Sequence, residues 1–178
     1  MDVYFVRHGE TMNNVLNMTY DSSNNHAPLT LKGREQAEQT ARKLRNVPFQ
    51  AVYASPFMRA LETAHIINEP HNLPITVDER LQDRNHGVES MPDPQLVALY
   101  EEMSDKWTGK LPCGESFEEE KLRVQEFLQS VQKTEKNCVL VVTHREPIQI
   151  ALGLIEQWTN EQMLSRNVEN GEFVQITY

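Results

Sequence analysis

Basic residues are scarce in this chain: 17 lysines and arginines stand against 26 aspartates and glutamates, for a formal net charge of -9. That balance repels polyanions, so nucleic acid and an anionic membrane surface are poor partners. Cysteine is scarcer still. Cys113 and Cys138 fall in different segments without metal-type spacing, which argues against a disulfide framework and a zinc site. No run approaches the roughly 18 apolar residues that a membrane-spanning helix needs, and the opening carries Asp2 in place of a basic, apolar leader. Internal repeats and low-complexity tracts are absent too. What remains is a 178-residue chain, read as cytoplasmic and as one domain over residues 1–178. A chain of that size buries roughly two thirds of the surface its unfolded form exposes.

Against these absences, one pattern occurs three times: an apolar run stops abruptly where a helix can begin. Val3 to Val6 read as a strand ending in Arg7-His8-Gly9, with Gly9 expected to free the backbone for a sharp turn. Phe49 to Ala54 run into Ser55-Pro56, where Ser55 suits an N-cap and Pro56 the first helical position, putting Arg59 in the first turn. Val139 to Val142, the most apolar strand, stop at Thr143-His144 with Pro147 close behind. In open α/β sheets ligands bind at the carboxyl ends of strands, and helix N-termini there favour anions. An arginine beside a histidine suits such a ligand, the first as a two-pronged donor and the second as base or nucleophile. If the ligand is a phosphate ester, a few converging arginines must bind it against the overall sign of the protein.

Other stretches complete the outline. Met12 to Leu16 continue as a helical turn, and the polar Asn17 to Pro28 segment reads as a loop across the mouth of the site. Thr30 caps the next helix, inside which Gly33 implies a close approach. Leu96, Leu99, Tyr100, Met103 and Trp107 lie at helical spacing over Gln95 to Trp107 and read as a core stripe. Ser116 and Glu119 form a capping box for a helix over Phe117 to Lys133, and Asn170-Gly171 turns into a last strand over Phe173 to Tyr178.

Arg7-His8-Gly9-Glu10-Thr11, with Asn14 three residues on, resembles the opening motif of the histidine phosphatase superfamily, which includes the cofactor-dependent phosphoglycerate mutases. Three further stretches match in the family's order: Leu29-Thr30 with Gly33 and Gln36-Ala37; Ser55-Pro56 with Arg59-Ala60 and Thr63-Ala64; and Val141-Val142-Thr143-His144. The resemblance implies a three-layer α/β/α sandwich around a mostly parallel sheet, with His8 as nucleophile. It makes Arg7 and Arg59 the phosphate-binding arginines and His144 the second histidine. Thr11 and Asn14 would bind phosphate or orient the arginines, and Arg123 matches a basic position of relatives, read as structural.

The chain departs from the family at the proton donor. Relatives carry a glutamate two residues after a leucine, whereas here Leu81 is followed by Asp83, one methylene shorter. Arg84 next door favours the ionised carboxylate, unless its charge points elsewhere. His86 and Glu89 are the alternative acids. His144-Arg145-Glu146 differs from the His-Asp of the acid phosphatase and phytase branch, and Arg145 either binds substrate or faces solvent.

The expected activity is therefore metal-independent hydrolysis of small phosphomonoesters through a phosphohistidine on His8, with no cofactor. A compact phosphoglycerate mutase, primed by 2,3-bisphosphoglycerate, is the alternative, and a non-catalytic phosphate-binding domain the third reading. The expected partner is a small phosphorylated substrate, with a homodimer left open.

Overall fold

A computed structural model describes residues 1–20, 26–88 and 90–177. In chain order the elements are β1 (Asp2–Arg7), α1 (Met12–Leu16), α2 (Leu31–Leu44), β2 (Ala51–Ala54), α3 (Met58–Asn68) and β3 (Ile75–Val77). A 3-10 turn at Glu79–Leu81 follows, then α4 (Asp93–Glu101), α5 (Phe117–Gln132), β4 (Cys138–Thr143), α6 (Arg145–Glu156), α7 (Asn160–Ser165) and β5 (Phe173–Thr177). The strands form one sheet in the order β3-β2-β4-β1-β5, parallel except for β5, which runs antiparallel along β1 at the edge.

Strand alternation builds the layers. Every residue of β4 is buried, as suits a strand covered on both faces. Val139 and Val141 point into a cluster with Phe117, Phe127 and Ile148 from α5 and α6. Leu140 and Val142 point the other way, to Leu44, Ala60 and Ile67 from α2 and α3. The result is the expected three-layer α/β/α sandwich. Among the described residues no helix is long and apolar enough to cross a membrane.

Register brings the strand ends level. Arg7 of β1 pairs with Thr143 of β4, and Ala54 of β2 pairs with Val142. Their ladders run one step further, with the His8 amide donating to the Thr143 carbonyl and the Ser55 amide to the Val142 carbonyl, each at 3.0 Å. His8, His144 and Ser55 consequently leave the sheet side by side.

Thr30 and Ser116 cap α2 and α5 as their spacing predicts. Other local expectations give way to tertiary contacts. Gly9 does not adopt a left-handed conformation. Its side chain is excluded because a Cβ there would lie 2.2 Å from the Gly33 carbonyl oxygen. At Gly33 a Cβ would lie 2.1 Å from the Glu10 carbonyl oxygen, so the two glycines let α2 press on the His8–Glu10 turn. Ser55 does not cap α3: the helix starts at Met58 with Phe57 at the cap, and the Ser55 hydroxyl instead accepts from the Phe57 amide and meets His144. The stripe after Gln95 is only partly core. Helix α4 ends at Glu101, and an Asp105 carboxylate accepting from the Trp107 amide at 2.8 Å turns the chain. Leu96 is the one residue of α4 that is buried. Helix α7 went unread, although Thr159 and Gln162 form a capping box at its start.

Candidate active site

His8 is buried, and both of its ring nitrogens are committed. Nδ1 lies 2.7 Å from the Gly9 carbonyl, which can only accept, so Nδ1 carries the proton. Nε2 is left with a lone pair, and it accepts from Arg59 Nε at 3.3 Å. Burial, with Arg59 and Arg7 adding to it, holds the His8 imidazole well below its ordinary pKa. The ring is neutral, with its unprotonated nitrogen toward Arg59.

Arg59, in the first turn of α3, is completely buried, a costly state for a guanidinium. Two aromatic rings flank it, Tyr20 at 3.6 Å and Phe57 at 4.7 Å from the guanidinium carbon. Its Nη2 lies 3.6 Å from Asp83 Oδ2, an ion-pair distance. Arg7 is anchored by an Nη1 donation to the Val168 carbonyl at 2.7 Å.

His144 is buried behind these groups, its ring centroid 5.1 Å from that of His8. Ser55 Oγ lies 2.8 Å from its Nε2 and accepts from the Phe57 amide at 3.4 Å. The serine proton is free to go to Nε2, and the Nδ1 on the other side of the ring lies 3.8 Å from Asp83 Oδ2, where a proton on Nδ1 faces a carboxylate. Burial, then the positive charge of Arg59, keeps this imidazole far below its usual pKa as well. Asp83 Oδ2 thus sits between Arg59 and His144.

The remaining candidates are placed as follows. Asn14 lines the cavity, and its Oδ1 accepts from the Thr11 amide at 3.0 Å and from Asn170 Nδ2 at 3.3 Å. Thr11 is buried beneath it, its hydroxyl bonded to Asn14 and to the Tyr20 hydroxyl. His86 lines the same cavity, with Nδ1 3.1 Å from the Tyr100 hydroxyl, and burial lowers its pKa. Glu89 lies outside the described residues. Arg84 turns from Asp83 toward Glu146, donating to its Oε1 at 2.8 Å. Arg145 is exposed and lines the cavity. Arg123 holds the carbonyls of Arg80 and Gln82, each at 2.8 Å, a structural role.

The cavity has a volume of about 480 Å³. Arg7, His8, Arg59 and Asp83 are among its lining, with Leu96, Val97, Tyr100 and Trp107 on an apolar wall. Four buried nitrogens around His8 have no hydrogen-bond partner among the described residues: Arg7 Nε, Arg59 Nη1 and Nη2, and His144 Nδ1. Unpaired buried donors are expensive, and their convergence suits a multiply charged oxyanion. Sequence reading missed Tyr20 as the ring under Arg59, Ser55 as the partner of His144, and Thr63, whose hydroxyl accepts from the Gly9 amide at 3.0 Å. Ser55 and Thr63 lay in one stretch already marked and Tyr20 in the loop across the mouth, but the partner of each comes from a distant element or turn of chain.

Comparison with known proteins gives concordant results. The family model described as histidine phosphatase superfamily (branch 1) matches residues 3–178. The chain is 33% identical over 162 residues to a protein named probable phosphoglycerate mutase GpmB from Enterobacter sp. (strain 638), covering 87% of this chain and 73% of that one. Among solved structures it resembles a putative alpha-ribazole-5'-P phosphatase from Escherichia coli at a TM-score of 0.86 and 25% identity, covering 98% of this chain and 89% of that one. It also resembles YhfR of Bacillus stearothermophilus at a TM-score of 0.84 and 27% identity, with coverage of 98% and 89%.

Proposed function

We propose, from the premise that this chain belongs to the histidine phosphatase superfamily, that it is a phosphomonoesterase acting on small phosphoesters without a metal or cofactor. The observation that carries this reading is the gathering of buried nitrogens of Arg7, Arg59 and His144 that have no hydrogen-bond partner among the described residues around the unprotonated Nε2 of His8. A phosphoryl group bound there takes up the arginine donors and releases the Nε2 lone pair from Arg59. Nε2 attacks phosphorus, the P–O bond to the alcohol breaks, and Asp83 supplies the proton to the leaving oxygen. Water, deprotonated by the same carboxylate, then attacks the phosphohistidine to release inorganic phosphate and restore neutral His8. Charge neutralisation and alignment are most of what phosphoryl transfer needs, and two arginines and a histidine supply both.

Asp83 supports the donor role better than His86 does. Its carboxylate lies within 4 Å of both Arg59 and His144, whereas His86 is bonded to Tyr100. The relatives named as probable phosphoglycerate mutases favour a second reading, in which the phosphohistidine returns its phosphoryl group to another hydroxyl and 2,3-bisphosphoglycerate primes the enzyme. Phosphate release from 4-nitrophenyl phosphate and from a panel including 3-phosphoglycerate separates them, using wild type, His8→Ala and Asp83→Asn with chelator present. Release that vanishes in His8→Ala and survives chelator is expected. Isomerisation of primed phosphoglycerate without release supports the mutase instead.

A further inference from the structure

Asp83 and Arg84 are adjacent in the chain, oppositely charged, and sent to different places. Asp83 faces Arg59 Nη2 at 3.6 Å and His144 Nδ1 at 3.8 Å. Arg84 reaches to the layer of α5 and α6, where Nη2 meets Glu146 Oε1 at 2.8 Å and Nε lies 3.8 Å from Glu120 Oε2. The side chains of Arg84, Glu146 and Glu120 are 8%, 14% and 0% exposed, and Arg84 and Glu146 line the same cavity as Asp83. Tyr100 and Phe117 flank the guanidinium, at 5.0 and 5.8 Å from its carbon.

The backbone between is pinned. Thr143 Oγ1 donates to the Leu81 carbonyl at 2.6 Å, and Arg123 Nη1 holds the Gln82 carbonyl at 2.8 Å. Arg123 pairs with Glu115 through bonds of 2.7 and 2.9 Å and also donates to Glu120 Oε1 at 3.3 Å. Burial, then the neighbouring Glu146, pushes the Glu120 carboxyl well up, while Arg84 holds the Glu146 carboxyl down against the cost of burial. Glu146 is thereby the nearer anion to Arg84, at 2.8 Å against 3.8 Å for Glu120.

We propose that Glu146 is a positioning residue for proton transfer: by holding the Arg84 guanidinium in the α5–α6 layer it keeps that charge off Asp83, leaving Asp83 able to carry the leaving-group proton. The inference rests on the phosphomonoesterase reading above. A guanidinium beside a carboxylate favours its ionised form, and an acid held ionised cannot donate. Asp83 already faces Arg59 and His144, with Arg7, Arg123, Tyr20, His86 and Glu120 near enough to act on it electrostatically. A bound phosphoryl dianion offsets Arg59, but it cannot also offset a second guanidinium released by the loss of Glu146.

The test compares two substrates that differ in their need for an acid. 4-Nitrophenolate leaves readily unprotonated, whereas the alkoxide of β-glycerol phosphate does not. In Glu146→Gln the ratio of kcat/KM for the nitrophenyl ester to that for the glycerol ester should rise about ten-fold, a partial loss of the roughly 100-fold or more that general acid catalysis supplies. Adding Arg84→Met to Glu146→Gln removes the misplaced charge and should bring the ratio back to within about three-fold of wild type, the coupling expected of partners in one network. Damage to the fold alone would lower both rates together and leave the ratio unmoved. If Glu146→Gln does not fold by circular dichroism, Glu146→Asp carries the test, with a smaller rise of roughly three-fold expected. A ratio that stays at the wild-type value in the folded variant, or that stays raised in the double variant, overturns the inference alone. Wild type that hydrolyses neither ester overturns the phosphomonoesterase reading and the inference with it.

Discussion

Arg59 Nε donates to Nε2 of His8 across 3.3 Å, so a single buried guanidinium both fixes the lone pair of the imidazole and presents its Nη atoms to the same cavity. The pairing joins the end of β1 to the first turn of α3, two pieces of chain that the level strand ends bring together. A cation so close also opposes protonation of His8, which keeps the ring neutral, as the proposed nucleophilic role requires.

Lysine cannot replace Arg59. Its ammonium is a point charge that reaches either His8 or a phosphoryl oxygen, and it lacks the planar fork. Arg59→Lys is expected to lower kcat/KM by about 100-fold, comparable to the loss of one preorganised transition-state donor. Steady-state kinetics on 4-nitrophenyl phosphate, with circular dichroism to verify folding, measures it.

Tyr20 supports that arginine from one side, its ring 3.6 Å from the guanidinium carbon and its hydroxyl bonded to Thr11. Tyr20→Ala should cost roughly ten-fold in kcat/KM, the worth of a desolvated cation–π contact. Tyr20→Phe keeps the ring and should lose less than about three-fold. Equal losses in the two variants would assign the effect to the hydroxyl.

Both histidines are held below the pKa they have in an unfolded chain. Above about pH 6.5 neither state carries these protons, so they do not affect stability. As pH falls below that value the unfolded chain takes them up while the native site does not, and stability falls by up to about 1.4 kcal/mol per pH unit for each histidine. Urea midpoints between pH 7 and pH 5 should decline, and the decline should be shallower in His8→Gln and in His144→Gln. On the proposed mechanism, activity should not show an acid limb at the ordinary imidazole pKa, because the His8 ring stays neutral there.

Gly33→Ala tests the contact under the turn. In an unobstructed helix the change would stabilise by about 0.5–1 kcal/mol. Here the new methyl would meet the Glu10 carbonyl oxygen at 2.1 Å, and the obstacle is backbone. The clash should win, destabilising by roughly 1–3 kcal/mol and lowering kcat through the displaced His8–Glu10 turn. Thermal melts and kinetics on the same sample measure both effects.

Most of the elements, and the residues that gather at the candidate site, were legible from the chain because their signals are local. Strand ends at Arg7, Ala54 and Thr143, caps at Thr30 and Ser116, and the spacing of Arg7, His8, Arg59 and His144 all lie within short windows. The readings that failed were those in which a distant group took over a local one. Ser55 signals an N-cap, but its hydroxyl goes to His144, 89 positions away in the chain. Gly9 does lie in the turn it signals, but the Gly33 backbone, not a left-handed conformation, is what requires glycine there. Trp107 falls on a helical stripe, but it belongs to a cavity wall after the helix has ended. Sequence alone therefore determined the alternating α/β order, the layers and the chemical character of the site. Tertiary structure alone decided which nitrogen of His8 carries the proton, that Tyr20 lies against Arg59, and that Arg84 faces Glu146 instead of Asp83. Tautomers and charge pairings depend on atoms a few ångströms apart in space, and one-dimensional spacing does not encode that proximity for residues from separate elements.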